Sequence, residues 1–283
     1  MKKDLTSKVS SSPFAGMNTY STESKKRRCL VSKLSPSLAF YPRIFSTVYR
    51  AAKIAKAGLY DGDAWIKSSL EVLNAVERSG GNVLIEGMEN LPYDGSPVVY
   101  VANHMSTLET FLLPSILRPK GPVTFVIKEQ LLRYPVFGWV MRSRNPIAVG
   151  RSNPREDLTT VLREGKARLE EGMSVIVFPQ TTRAPYFDPT AFNSIGAKLA
   201  ARSGVKLVPL ALKTDFWSNG KRLKDFGPIL PANTVHFKFA SPLEPEGKGD
   251  AAHRATVKFI TEELALWGAS SPETIDPGAP EKQ

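Results

Sequence analysis

The segment PVVYVANHMSTLE occupies residues 97–109. Its first six residues form a short apolar run, which predicts a buried β-strand, and the apolar stretch that begins at Leu108 predicts a helix. His104 lies between the predicted strand and the predicted helix. Glu109 follows five positions later, as the second residue of that helix. An imidazole can take a proton from a hydroxyl near neutral pH, and a carboxylate can fix its tautomer. The segment therefore predicts a strand-to-helix turn that carries a general base and its orienting carboxylate.

Glu109 also has a purely structural interpretation. Ser106 followed three residues later by Glu109 forms a capping box, in which the glutamate only satisfies the start of a helix. His104 is the stronger candidate, because the chain has only three histidines. His236 lies in an alternating strand pattern that predicts exposure to solvent, and His253 begins a charged C-terminal helix. His104 is thus the candidate general base.

The remaining sequence alternates short apolar runs with amphipathic stretches. This alternation predicts an α/β fold with a mostly parallel or mixed central sheet flanked by helices. The predicted strands are residues 83–86, 98–102, 123–127, 147–149, 175–178, 207–212 and 235–239. The predicted helices of this region are residues 108–117, 131–144, 154–171, 193–202 and 252–267.

The chain divides into four regions by composition. Residues 1–36 are polar and rich in serine and lysine, which predicts a disordered basic arm. Residues 37–80 predict a pair of N-terminal amphipathic helices, and residues 81–268 form the α/β domain. Residues 269–283 contain three prolines and predict a flexible tail.

The first amphipathic helix is expected over residues 42–60. Its apolar residues recur at helical spacing: Ile44, Phe45, Val48, Ala51, Ala52, Ala55 and Leu59. Its basic residues fall largely on the other side: Arg43, Arg50, Lys53 and Lys56. Such a helix can lie in a membrane interface, and the alternative is that its apolar face packs on the domain's own core.

The net charge of +11 favours an anionic partner. Nucleic acid is not expected, because no zinc-finger spacing, RNA-recognition motif or Walker loop is present. An anionic membrane surface fits the basic helix better. No run reaches the roughly 18 apolar residues of a membrane-spanning helix, so we expect a monotopic protein at the cytoplasmic face of a membrane.

Cysteine and ligand patterns narrow the chemistry further. Cys29 is the single cysteine, which excludes an internal disulfide and a cysteine-based metal cluster and fits a reducing compartment. No third ligand lies near His104 and Glu109 in sequence, so no metal site is expected. A Gly-x-Ser-x-Gly nucleophile motif is absent, which favours direct transfer over a covalent intermediate.

The motifs resemble those of the glycerophospholipid acyltransferase family, whose best-known members are the lysophosphatidic acid acyltransferases. Residues 103–109 match the family's Asn-His-x4-Asp motif, with Glu109 in place of Asp. Gly138 and Arg151 correspond to its second motif, a glycine and an arginine flanking a short strand.

Two further motifs follow in the family's order. The run FPQTTR, residues 178–183, corresponds to Phe-Pro-Glu-Gly-Thr-Arg. Residues 207–211 correspond to the family's Val-Pro run, and the resemblance covers about residues 82–242.

The resemblance implies an enzyme that moves a fatty acyl chain from an acyl thioester to a hydroxyl of lysophosphatidic acid, giving phosphatidic acid. The thioester would be acyl-CoA or acyl carrier protein, used as co-substrate without a further cofactor. His104 and Glu109 would be catalytic, and Arg151 and Arg183 would bind the acceptor's phosphate. The expected substrate-binding residues are Gly138, Arg151, Phe178, Pro179, Gln180, Thr182 and Arg183.

The chain departs from the family pattern at two places. Glu109 is one methylene longer than the usual Asp, and Gln180 and Thr181 replace Glu-Gly in the third motif. A glutamate at position 180 would stand three residues before Arg183, so we expect its loss to change acceptor choice. The alternatives are an acyltransferase for a different lysolipid, or for another lipid with a hydroxyl or amine, and a non-catalytic membrane-binding protein on the same fold.

Overall fold

A mixed eight-stranded sheet forms the centre of the computed structural model, which describes residues 13–14, 16–22, 29–180 and 182–269. The strands are β1 (Tyr20–Ser21), β2 (Val83–Glu86), β3 (Val99–Ala102), β4 (Val123–Lys128), β5 (Ile147–Val149), β6 (Ser174–Val177), β7 (Leu207–Lys213) and β8 (Val235–Phe239). Their order across the sheet is β1-β2-β8-β7-β3-β6-β4-β5. The β1–β2 and β7–β8 pairs are antiparallel and the other pairs are parallel, so the predicted fold class is confirmed.

Helices cover both faces of the sheet. They are α1 (Leu30–Leu34), α2 (Pro36–Lys56), α3 (Gly62–Arg78), α4 (Leu108–Leu117), α5 (Phe137–Arg142), α6 (Pro154–Glu170), α7 (Ile195–Ser203) and α8 (Asp250–Leu266). The first hydrophobic cluster lies between the sheet and α2, α3 and α4, and the second lies between the sheet and α6, α7 and α8.

The central strands are apolar throughout because each packs against helices on both faces. In β3, Tyr100 and Ala102 face the first cluster, while Val99 and Val101 face the second. Val101 pairs in parallel register with Val177 of β6 and with Pro209 of β7. The carboxyl ends of these three strands therefore meet at one edge of the sheet, where the residues that follow them come together.

The N-terminal arm differs from its prediction wherever the structure describes it. Strand β1 pairs with β2, and the buried Phe14 ring lies 5.1 Å from the ring of Tyr20. The Tyr20 hydroxyl donates a 2.5 Å hydrogen bond to Glu77. The prediction of a disordered arm is therefore wrong at these residues and at α1. Residues 1–12, 15 and 23–28 of the arm, and residues 270–283 of the predicted tail, lie outside the described residues.

Helix α2 begins at Pro36, six residues before the predicted start. Ser35 accepts a hydrogen bond from the backbone N–H of Leu38, and Pro36 occupies the first helical position, where its missing N–H costs nothing. The helix continues through Pro42. The start was misplaced because Pro42 resembles a helix beginning as much as Pro36 does.

The predicted apolar face of α2 mostly packs on the domain. Ile44, Ala51, Ala52 and Ala55 are buried in the first cluster, and α2 contacts both α3 and α5. The second interpretation of this face, packing on the core, therefore holds for these four residues. Phe45 of the predicted face is instead exposed, and it belongs to an exposed apolar stripe whose members lie three or four residues apart: Leu38, Pro42, Phe45 and Tyr49.

The predicted helix at residues 131–144 is much shorter in the structure. Residues 129–133 form a 3-10 turn, and only Phe137–Arg142 is α-helical. Pro135 explains the break, because a proline disfavours helical backbone in the residue before it. Among the described residues, none of the helices is both long enough and apolar enough to cross a bilayer.

Gly87 provides a test of the packing between β2 and β8. Its φ angle is 75°, and an added Cβ would overlap the carbonyl oxygen of Phe239. Gly172 has nearly the same φ angle, 77°, but open space around it. We expect Gly172→Ala to lower the free energy of unfolding by about 1–2 kcal/mol from backbone strain, and Gly87→Ala to lower it by more. Chemical denaturation measures both, and equal losses would contradict the overlap.

Candidate active site

Asn103 fixes the end of β3 against the end of β7. Its side-chain Nδ2 donates to the carbonyl oxygen of Leu212 at 2.7 Å, and its Oδ1 accepts from the Leu212 N–H at 2.8 Å. Asn103 is buried, so water does not compete for these bonds. The two bonds hold the turn that presents His104.

His104 and Glu109 are in direct contact, as the sequence predicted. Nδ1 of His104 lies 2.8 Å from Oε1 of Glu109. The glutamate side chain is fully buried, whereas the imidazole keeps 15% of its surface exposed. The pair therefore joins an inaccessible carboxylate to a ring that a substrate can reach.

Several donors surround the Glu109 carboxylate. Oε1 accepts from the backbone N–H groups of Met105 at 2.7 Å and Ser106 at 2.9 Å. Oε2 accepts from the Ser106 hydroxyl at 3.0 Å and from the Thr214 hydroxyl at 2.5 Å. Burial raises the pKa of Glu109, but the hydrogen bonds from His104 and Thr214 and the charge of His104 together hold it below its usual value.

The ionised Glu109 determines the state of the imidazole. An ionised carboxylate can only accept, so Nδ1 of His104 carries the proton and donates it. The lone pair of Nε2 is then the basic atom of the ring. This is the tautomer that a general base for a hydroxyl requires.

The structural interpretation of Glu109 is compatible with its contact to the imidazole. Glu109 accepts the Ser106 N–H, and the Ser106 hydroxyl accepts from the Leu108 N–H at 3.1 Å, which together cap the first turn of α4. The same carboxylate oxygen that caps the helix also contacts the imidazole. Capping and orientation are therefore two effects of one side chain.

A residue of the third motif packs against one face of the imidazole. Phe178 follows β6, and its ring stacks on His104 with centroids 4.4 Å apart and planes 16° apart. The ring of Phe125 stacks on that of Phe178, with centroids 6.2 Å apart. Pro179, the next residue, accepts a hydrogen bond from the Asn193 side chain through its carbonyl. Phe178 therefore lies against the predicted base, and the role of Phe178 and Pro179 in substrate binding stays a prediction.

Gln180 contacts the backbone of His104. Its Oε1 accepts the N–H of His104 at 2.8 Å, and the side chain is buried. The carboxylate that pairs with Arg183 belongs to Asp225. A glutamate at position 180 could accept the same bond from His104, which explains how the chain tolerates glutamine here. Thr181 lies outside the described residues.

Arg183 lies beside the first turn of α4. Its guanidinium contacts Asp225 Oδ1 at 2.6 Å and the hydroxyl of Thr107, and Thr107 also donates to Asp225 at 3.0 Å. Only 16% of the Arg183 side chain is exposed. Thr182 accepts from Nζ of Lys224 at 2.9 Å. The structure thus brings the predicted Arg183 close to the turn that carries His104.

Arg151 and Gly138 occupy other parts of the fold. Arg151 follows β5, three strands away from β3, which is about 14 Å across the sheet. Its N–H donates to Asp157 at 3.2 Å. Gly138 lies in α5, where an added Cβ would be 2.6 Å from the carbonyl oxygen of Leu132. This close approach explains why residue 138 is a glycine.

The sequence did not indicate Thr214 or Asp225 as parts of the site. Thr214 directly follows β7, so its place at the carboxyl end of a strand was the available signal. Asp225 lies in the connection between β7 and β8, and no motif or apolar pattern in the sequence indicated it. No group of three or more possible metal ligands occurs among the described residues.

The other two histidines lie apart from this pair. His236 stacks on Trp267 at 4.7 Å and is half-buried, so its predicted exposure is wrong in part. Burial lowers the pKa of His236 and also that of His253, whose ring stacks on Phe192 at 6.1 Å.

Comparison with known proteins gives a consistent picture. Residues 82–213 match the family model described as Acyltransferase. A 1-acyl-sn-glycerol-3-phosphate acyltransferase of Pseudomonas aeruginosa is 29% identical over 194 residues, which cover 68% of this chain and 70% of the relative. A protein of the same name from Chlamydomonas reinhardtii is 35% identical over 184 residues, covering 64% of this chain and 54% of the relative.

The fold has a counterpart among solved structures. The 1-acyl-sn-glycerophosphate acyltransferase PlsC of Thermotoga maritima superposes with a TM-score of 0.62 at 22% identity, covering 85% of this chain and 98% of that chain. This likeness shows the fold. Residues 82–213 match the acyltransferase family, and together with the named relatives this match supports an O-acyltransferase.

Proposed function

We propose that the chain transfers a fatty acyl group from an acyl thioester to the hydroxyl of lysophosphatidic acid, giving phosphatidic acid. The contact between His104 and the buried Glu109 carries this proposal, because it leaves Nε2 as a base at the edge of the sheet. The Pseudomonas and Chlamydomonas relatives are both named 1-acyl-sn-glycerol-3-phosphate acyltransferases, which supports this acceptor.

The proposed reaction is a direct transfer. Nε2 of His104 takes the proton of the acceptor hydroxyl while the oxygen attacks the thioester carbonyl carbon. The tetrahedral intermediate collapses, the carbon–sulfur bond breaks, and the imidazolium returns the proton to the leaving thiolate. Glu109 stabilises the imidazolium that forms between these steps. The products are the ester and the free thiol of coenzyme A or acyl carrier protein.

Arg183 is the proposed contact for the acceptor's phosphate. Its guanidinium already binds the carboxylate of Asp225, so it is oriented toward an oxyanion. A phosphate carries more charge than a carboxylate and can replace Asp225 as the partner. Arg151 is a second candidate, at the same edge of the sheet but beyond β5.

Peripheral attachment at the cytoplasmic face of an anionic membrane is also part of the proposal. The substrates are lipids, the chain carries a net charge of +11, and α2 exposes the stripe of Leu38, Phe45 and Tyr49. Such a combination suits a helix that lies at the surface of an anionic bilayer.

A different lysolipid acceptor is the second candidate. The observation that favours it is the pairing of Arg183 with Asp225, which leaves this contact electrically neutral before any acceptor binds. Incubation of the purified protein with acyl-CoA or acyl carrier protein and a panel of lysolipids distinguishes the two, with products identified by mass spectrometry. Transfer to lysophosphatidic acid in preference to the panel supports the first candidate, and no transfer to any lysolipid contradicts both.

His104→Ala should lower kcat/KM by roughly two to four orders of magnitude, because it removes the general base. His253→Ala is the matched control, since it removes an imidazole on the opposite face of the sheet. Steady-state kinetics measure the effect, and circular dichroism checks the fold. Near-normal turnover in folded His104→Ala would exclude the proposed mechanism.

Glu109→Gln should lower kcat by roughly two orders of magnitude or more, because the imidazolium loses its counter-charge. It should also lower the free energy of unfolding by about 1–3 kcal/mol, since a buried amide cannot satisfy the same donors. Glu109→Asp keeps the charge and should retain more activity than Glu109→Gln. A variant with reduced Tm and unchanged kcat would mean that Glu109 only caps α4.

Arg183→Ala should raise the KM for the acceptor roughly 10-fold to 100-fold, the usual range for a charge-assisted hydrogen bond, and leave the donor KM nearly unchanged. Asp225→Asn removes the competing carboxylate and should lower the acceptor KM. Initial rates with each substrate varied in turn measure both effects. If Arg183→Ala changes only the donor KM, the guanidinium contacts the phosphates of coenzyme A instead.

A further inference from the structure

The connection between β7 and β8 joins the acceptor site to the protein surface. We refer to its residues 218–230 as the 218–230 segment. Its Asp225 contacts the mostly buried Arg183, and its exposed Lys224 contacts Thr182. On its outer side the side chain of Leu223 is 65% exposed. Only one residue separates Leu223 from Asp225, so the surface and the site are adjacent here.

The 218–230 segment is a compact turn. The N–H of Ser218 donates to the carbonyl of Pro228 at 3.2 Å, and the N–H of Gly220 donates to that of Lys224 at 3.2 Å. The N–H of Phe226 donates to the carbonyl of Leu223 at 2.9 Å. These backbone hydrogen bonds fix the turn, and the turn holds the side chain of Leu223 at the surface.

The outer side of the segment continues onto helix α2. Phe226 is 48% exposed. The centroid of its ring lies 5.7 Å from that of the Phe45 ring and 5.9 Å from that of the Tyr41 ring. The Tyr41 hydroxyl also donates to the carbonyl of Gly227 at 2.5 Å. Phe45 belongs to the exposed stripe of α2, so the apolar surface of the helix and that of the segment are continuous.

The charge beside this apolar surface is positive. Lys221 and Arg222 are exposed, and within the described ranges neither takes part in an ion pair or a side-chain hydrogen bond. The acidic residue nearest to them in sequence, Asp225, is already paired with Arg183. Exposed apolar side chains flanked by unpaired cations fit the interface of an anionic bilayer.

We propose that the 218–230 segment is a membrane contact in its own right. Leu223 and Phe226 enter the bilayer interface together with the α2 stripe, and Lys221 and Arg222 bind lipid phosphates. The inference rests on the proposed function in one respect, namely that the acceptor is a lipid. Contact at this segment lets a lipid headgroup reach Arg183 directly from the bilayer surface.

Flotation of the full chain with vesicles of phosphatidylglycerol and phosphatidylcholine tests the contact. Leu223→Glu and the double variant Lys221→Glu/Arg222→Glu should each weaken binding by about 10-fold or more, since a basic residue near an anionic surface contributes about fivefold. Two matched controls lie elsewhere on the surface. Leu266→Glu changes a leucine that is 77% exposed on α8, and Lys248→Glu/Arg254→Glu makes the same change in charge.

Binding that is unchanged in Leu223→Glu, or weakened equally in the controls, would overturn the inference. Transfer to a short-chain, water-soluble lysophosphatidic acid separates it from the proposed function. Leu223→Glu should retain wild-type rates in that assay. A wild type that binds vesicles but transfers no acyl group would contradict the proposed function alone. A Leu223→Glu protein that binds vesicles normally but loses activity with acyl carrier protein would assign the surface to that acidic carrier and refute the membrane contact.

Discussion

A buried carboxylate, that of Glu109, is the constraint on which the rest of the site depends. An ionised group without water is tolerated only when hydrogen bonds replace its hydration. Here the donors come from the turn after β3, from Thr214 after β7, and from His104. The hydrogen bonds that satisfy the Glu109 carboxylate therefore fix two strand ends, the start of α4 and the orientation of the imidazole.

The sheet makes this arrangement possible because β3, β6 and β7 run parallel and end at one edge. Each strand end contributes something different. After β3 come Asn103 and His104, after β6 comes Gln180, which holds the His104 N–H, and after β7 comes Thr214. The imidazole is thus held through its ring, its stacking face and its own backbone. A base held in this way loses little entropy when a substrate arrives.

The part of the site that could be predicted from the sequence is the part that is local in sequence. His104 and Glu109 are five residues apart, so a strand-to-helix turn places them near each other, and distant residues such as Gln180 and Leu212 then hold that turn. Thr214 and Asp225 are separated from them by more than a hundred residues. Their roles depend on strand order, which apolar periodicity does not specify. The fold class was predictable because buried parallel strands are continuous apolar runs. The environment of α2 was not, since an amphipathic pattern does not reveal what covers its apolar face.

The pairing of Arg183 with Asp225 follows from the same physical rule as the Glu109 network. A guanidinium that is mostly buried needs a partner even when no substrate is present. Asp225 supplies one, and Thr107 completes it from the first turn of α4. Binding of an acceptor phosphate would then exchange one oxyanion for another, so the guanidinium would have a partner both before and after binding. The exchange would release the Asp225 carboxylate, whose side chain is 41% exposed, so water can hydrate it.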